Sequence, residues 1–157
     1  MKPRVLYILQ NAWHRDAIHG ERWDGPSWEA ALWQSMTGKR LREMIPRGIE
    51  VGVMNATPLA SNRCDDVLLP NPVYVVDRIT QWRPHVVVLL GGQAKSLLRL
   101  IRPACITAPH PCYRQLSKGQ TGDVAEIIRE RAYAEMAIER WGAHPPYGGT
   151  CAPPEAQ

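Results

Sequence analysis

Phenylalanine is absent from this 157-residue chain, and aromatic residues together make up only 7% of it. Six Trp therefore take over some of the packing and stacking that Phe commonly does. Cysteine is sparse: Cys64, Cys105, Cys112 and Cys151 include no pair at C-x-x-C spacing. The usual zinc and iron–sulfur signatures are thus missing, and no metal is expected. Scattered thiols in a chain of this size read as reduced cysteines of a cytoplasmic protein. Long hydrophobic runs are missing too. The basic start MKPRVLYILQ holds too short an apolar stretch for a signal peptide, and no later run reaches membrane length. A soluble chain with no membrane partner is expected.

The formal net charge is +4. It suits an acidic partner such as nucleic acid, and equally an ordinary soluble protein with a slight basic excess. At 45% hydrophobic and 22% charged, the composition is that of a globular domain. The length fits one domain and is too short for two.

Four short runs rich in β-branched residues stand out: RVLYIL (4–9), IEVGVM (49–54), HVVVLL (85–90) and ACITA (104–108). They are near-continuous rather than alternating, as in strands covered on both faces. Helical patterns separate them. One is predicted from Pro26-Ser27, with Ser27 at or near the N-cap, through WEAALWQSMTGKRLREMI. Another starts at Asn71-Pro72 and places Val73, Val76, Ile79 and Thr80 on one face. A short helix is predicted in GGQAKSLLRLI. A last one is predicted over 123–141, with Val124, Ile127, Ile128, Ala134, Ile138 and Trp141 on one face. The expectation is an α/β fold: a three-layer α/β/α sandwich around a central, four-stranded, mainly parallel sheet. The domain is expected over 1–141. Residues 142–157 are rich in Pro and Gly and read as an extended or partly disordered tail.

In such sheets ligands sit beyond the carboxyl ends of the strands. The four runs are followed by Gln10-Asn11-Ala12-Trp13-His14, by Asn55-Ala56-Thr57-Pro58, by Gly91-Gly92-Gln93 and by Pro109-His110-Pro111-Cys112-Tyr113-Arg114. Taken singly, each polar residue there reads as a turn former. Together, at matching strand ends, they point to one polar pocket.

These motifs, in this order, resemble the uracil-DNA glycosylase superfamily. Its best-known branch has Gly-Gln-Asp-Pro-Tyr-His after the first strand, where this chain has Leu9-Gln10-Asn11-Ala12-Trp13-His14. His-Gly followed by Phe corresponds to His19-Gly20 followed by Trp23. A Pro-Ser helix start corresponds to Pro26-Ser27, and Leu-Asn-Ala to Met54-Asn55-Ala56. The third-strand end corresponds to Leu89-Leu90-Gly91-Gly92-Gln93-Ala94, and His-Pro-Ser to His110-Pro111-Cys112. The mismatch-specific branch carries Asn in the first motif, and its third strand resembles RPHVVVLLGGQA. SMTGKRL is also similar to that branch. The likeness runs from residue 4 to about residue 140 and mixes two branches.

The resemblance implies a glycosylase that flips a base out of DNA and hydrolyses its bond to the sugar. It implies catalytic roles for Asn11, which would hold the attacking water, and His110, which would donate to the pyrimidine O2 as negative charge builds. It implies a base pocket of Gln10, Trp13, Trp23 and Asn55. Asn55 would read the polar edge of the base, Trp23 would stack on it, and Trp13 would gate the C5 position. Ser27, Ser61, Arg63, Tyr113, Arg114 and Lys118 would contact DNA, with Tyr113 or Leu116 as an apolar wedge. No Lys stands in a strand-end motif, so a monofunctional enzyme is expected.

The expected activity is removal of uracil or a modified pyrimidine, leaving an abasic site. A specialised enzyme against hypermodified phage bases in host defence is one form of it. No cofactor is expected. The expected partner is DNA, single- or double-stranded, bound by a monomer. Two other classes stay open: a non-catalytic DNA- or base-binding module on the same fold, and an enzyme of free nucleotides or nucleosides.

Overall fold

The computed structural model describes residues 1–142; the tail expected over 142–157 lies outside the described residues apart from Gly142. Four strands form one parallel sheet: β1 (Arg4–Leu9), β3 (Glu50–Asn55), β5 (Val86–Leu90) and β6 (Ala104–Ala108). Their order is β3-β1-β5-β6, with Leu9 opposite Asn55 and Leu90 opposite Ala108. A two-stranded parallel bridge joins β2 (Ala12–Trp13) to β4 (Ala60–Ser61). The fold is α/β, with helices on both sheet faces.

Alternation along the strands separates two cores. On one face Val5, Tyr7, Leu9, Val86, Val88 and Leu90 pack with α1 (Pro26–Gln34), α2 (Met36–Glu43) and α5 (Lys118–Trp141). On the other, Leu6, Ile8, Val87 and Leu89 pack with α3 (Pro72–Trp82) and α4 (Gly92–Lys95). Between α4 and β6 runs a short 3-10 turn, Leu98–Leu100. The two faces follow from chain direction. The chain leaves β1 for β3 on one side, then returns past β1 to β5 on the other. Right-handed crossovers in opposite directions must use opposite faces. With no Phe, the buried aromatics among the described residues are Tyr7, whose hydroxyl donates to Met44 O at 3.1 Å, and Trp28.

Several helix expectations are corrected. The single helix expected from Ser27 to Ile45 is two. Ser35 lies extended, closing α1 through its N–H to Leu32 O and capping α2 by accepting from Gly38 N–H. One Ser capping both helices turns the chain between them. Gly38 allows the turn, because a Cβ there would stand 2.0 Å from Leu32 O. The N-cap of α1 is Gly25, and Ser27 stands near it as the second helical residue. In α3 the buried face is Val75 and Ile79, while Val73, Val76 and Thr80 face outward. Helix α5 begins five residues earlier than expected, at a capping box of Ser117 and Gln120. Its buried stripe is Thr121, Ile128 and Ala132; Ile127, Ala134, Ile138 and Trp141 are exposed. The apolar residues of α5 spread around more of the helix than one face, so periodicity alone picked the neighbouring stripe. No helix of the described residues is long and apolar enough to cross a membrane.

Candidate active site

The strand order makes the carboxyl ends of β1 and β5 the switch point of the sheet. Connections leave those two strands in opposite directions, the place where ligands of open α/β sheets bind. The strand ends place Asn55, Gln10, Gly91 and His110 in a row, in sheet order. Three inter-strand steps make the row about 14 Å wide.

Gly91 is the hinge of this row. Its φ of 87° and ψ of 173° lie in a region that only glycine adopts readily. A Cβ there would stand 3.1 Å from Gln10 Nε2 and 3.1 Å from His110 Cβ. The missing side chain is what lets Gln10 and His110 approach each other across the end of β5. Gly91 N–H also donates to Ala108 O at 3.1 Å, which holds the base of the His110 loop.

His110 follows β6 and is half-buried. Its Nδ1 accepts from Cys112 N–H at 3.2 Å and lies 2.8 Å from Cys112 Sγ. A backbone N–H can only donate, so Nδ1 carries no proton and the neutral ring is protonated at Nε2. Burial pushes the His110 pKa down to about 4. Near neutral pH the ring is therefore an uncharged Nε2–H donor. Burial pushes the Cys112 thiol up, which keeps it a thiol near neutral pH. The loop is a tight turn closed by Tyr113 N–H on His110 O at 2.9 Å. Arg40 of α2 reaches it from the side. Its Nη1 donates to Pro111 O at 3.2 Å and to Tyr113 O at 2.8 Å.

Asn11, beside the row, and Asn55, within it, are engaged by the protein itself. Asn11 donates through Nδ2 to Ala12 O at 3.1 Å and Asp66 O at 3.4 Å, and its Oδ1 accepts from Leu68 N–H at 3.2 Å. It ties the β4–α3 loop to the end of β1. Asn55 is 3% exposed. Hydrogen bonding orients its amide so that the oxygen accepts from Trp28 Nε1 at 3.2 Å and Ala12 N–H at 3.1 Å. It joins β3, β2 and α1.

Trp13 is 51% exposed. It points away from buried Ala12, its neighbour on β2, as the strand pleat requires. Trp23 packs against the core, donates through Nε1 to Ser27 Oγ at 2.8 Å, and meets the His14 ring edge-on at 6.0 Å. It lines a cavity of about 420 Å³ with His14, Asp16, Glu21 and Arg22 among its other walls. Gln10, Asn11, Asn55 and His110 do not line that cavity.

Of the expected DNA contacts, Ser61 is fully buried, and its hydroxyl donates to Arg63 O while accepting from Arg63 N–H. Arg63 is exposed and paired in a two-point contact with Asp65. Ser27, Arg114 and Lys118 are exposed, and so is Tyr113, whose hydroxyl donates to Gln115 Oε1 at 3.0 Å. Leu116, the alternative wedge, is 8% exposed and packs in the core. Two contributors, Trp28 and Arg40, escaped sequence reading, and a third, Gly91, was read only as part of a strand-end motif. The Gly-Gly at the strand end was a visible signal for Gly91. Trp28 and Arg40 left none, because each acts on residues far away in the chain.

Compared with family models, curated proteins and solved structures, the chain matches none.

Proposed function

We propose that this chain is a monofunctional DNA glycosylase of the uracil-DNA glycosylase type, acting as a monomer in the cytoplasm. It hydrolyses the bond between sugar and base for uracil or a modified pyrimidine and leaves an abasic site. The observation that carries the reading is the neutral His110, an Nε2–H donor beside Gln10 at the switch point of the sheet. The transition state for losing a pyrimidine places negative charge on the departing base. A fixed N–H donor aimed at the place where that charge develops stabilises it by hydrogen bonding. Tyr113, Arg114 and Lys118 lie exposed on the loop and helix start that follow, where they can meet the DNA backbone. The outward Trp13 is the arrangement that leaves room for a larger C5 substituent, and supports a bulky modified pyrimidine over plain uracil.

The test is mass spectrometry of bases released from DNAs carrying uracil, 5-hydroxymethylcytosine and glycosylated cytosine, with cleavage of abasic sites as a second readout. Release of one base is expected, abolished in His110→Ala while DNA affinity is kept. If neither wild-type readout responds on any of these DNAs, the reading fails.

One observation favours a second reading, a binder of DNA or of a flipped base without hydrolysis. Asn11 and Asn55 already hold the fold together, which leaves less of each amide for water or base. Tight, selective retention of one modified DNA with no base released is the outcome that selects it.

A further inference from the structure

We infer that Arg40 is a positioning residue for His110, acting through the turn that holds the ring and not by touching substrate. The inference rests on reading His110 as the donor of the site. The Nη1 of Arg40 donates to Pro111 O and Tyr113 O, the carbonyls on either side of Cys112. Cys112 is the residue whose N–H fixes His110 Nδ1 as an acceptor. The chain of constraint therefore runs from guanidinium to turn, from turn to Cys112 N–H, and from there to the ring.

The support behind Arg40 is rigid. Helix α2 is capped at its start by Ser35. Gly38 seats its first turn against α1. At its end Glu43 accepts from Thr121 Oγ1 of α5 at 3.1 Å. Neighbouring Leu41 is fully buried. Two other features hold the turn, the Tyr113 N–H bond to His110 O and the packing of buried Pro111. Both act within the loop. Among the hydrogen bonds of the described residues, those from Arg40 tie the turn to another helix.

A guanidinium suits this task because it is planar, always charged and directional. Loss of Arg40 leaves the sheet intact and frees the turn to shift. Both ring tautomers then become accessible, and the Nε2–H donor is no longer aimed at one place.

The test is nitrogen NMR of the histidine rings near neutral pH in wild type, Arg40→Ala and Arg40→Lys, with thermal melting as a control on folding. Wild-type His110 is expected to give the separated Nδ1 and Nε2 signals of a fixed Nε2–H tautomer. In Arg40→Ala those signals move toward the averaged values of a free imidazole; Arg40→Lys, which keeps the charge and some donors, lies between. On a DNA that releases a base, Arg40→Ala lowers kcat about a hundredfold with little change in KM, as a displaced catalytic group does. If the ring signature of folded Arg40→Ala equals that of wild type, the inference is overturned. If the ring signature moves and no DNA releases a base even with wild type, the positioning role stands and the glycosylase reading falls.

Discussion

At the scale of single residues, the row of strand ends depends on a side chain that is not there. Gly91 holds a backbone conformation that other residues rarely adopt, and a methyl group there would press on Gln10 and His110 at 3.1 Å. Gly91→Ala is expected to lose about 1–3 kcal/mol from backbone strain alone. That is a fall in Tm of roughly 3–12 °C, readable by calorimetry. Gly92→Ala is the control, because a Cβ there meets nothing within 4 Å. If the two variants melt alike, the role of Gly91 is disproved. His110 makes the complementary point. Its residue type was legible as a candidate at a strand end. Which nitrogen carries the proton was not, because that follows from a hydrogen bond to Cys112 N–H and from burial.

At the scale of elements, Asn55 matters as a joint. It receives the Trp28 indole N–H from α1 and the Ala12 N–H from β2 while sitting at the end of β3. Asn55→Ala leaves two buried donors without a partner, at about 1–3 kcal/mol each. Urea denaturation of Asn55→Ala is expected to show a loss of roughly 2–5 kcal/mol. A midpoint equal to that of wild type would mean that the joint bears nothing. Elements also mark where local reading reached its limit. The β-branched runs located the four sheet strands to within a residue, because strands covered on both faces must be apolar throughout. The helices were less legible. The break at Ser35 depends on how α2 packs back on α1, and the buried stripes of α3 and α5 depend on where the sheet lies.

At the scale of the whole molecule, the sheet order decides where chemistry can occur and His110 sets how stability responds to acid. The folded ring has a pKa of about 4, below the ordinary value of 6.5. Between those values the unfolded chain binds a proton that the native state does not, so stability rises with pH across the window. It is fully present above about pH 6.5 and is lost as pH falls toward 4. The Asp24 carboxylate is shifted away from an added proton. Burial pushes Asp24 up, but Arg22 and Tyr74 outweigh it and hold the group below its usual range. Unfolding free energies from urea titrations at pH 4.5 and 7.5 are therefore expected to differ in wild type by on the order of 2–3 kcal/mol more than in His110→Asn. An identical pH response in the two proteins refutes a half-buried His110 held neutral.

The sequence by itself determined the α/β class, the four strands of the main sheet, and the polar residues at their carboxyl ends. Those follow from local rules: an apolar run must be covered, and a turn must follow a strand. Only the tertiary structure decided what each of those residues is free to do. It turned Trp13 outward, buried Ser61 and Leu116, bound Asn11 to a loop 57 residues away and brought Arg40 onto a turn 71 to 73 residues ahead of it. Contacts at such separations leave no periodicity or spacing in the chain. They come from packing both faces of one sheet at once, and packing settles which polar groups face the protein and which face outward.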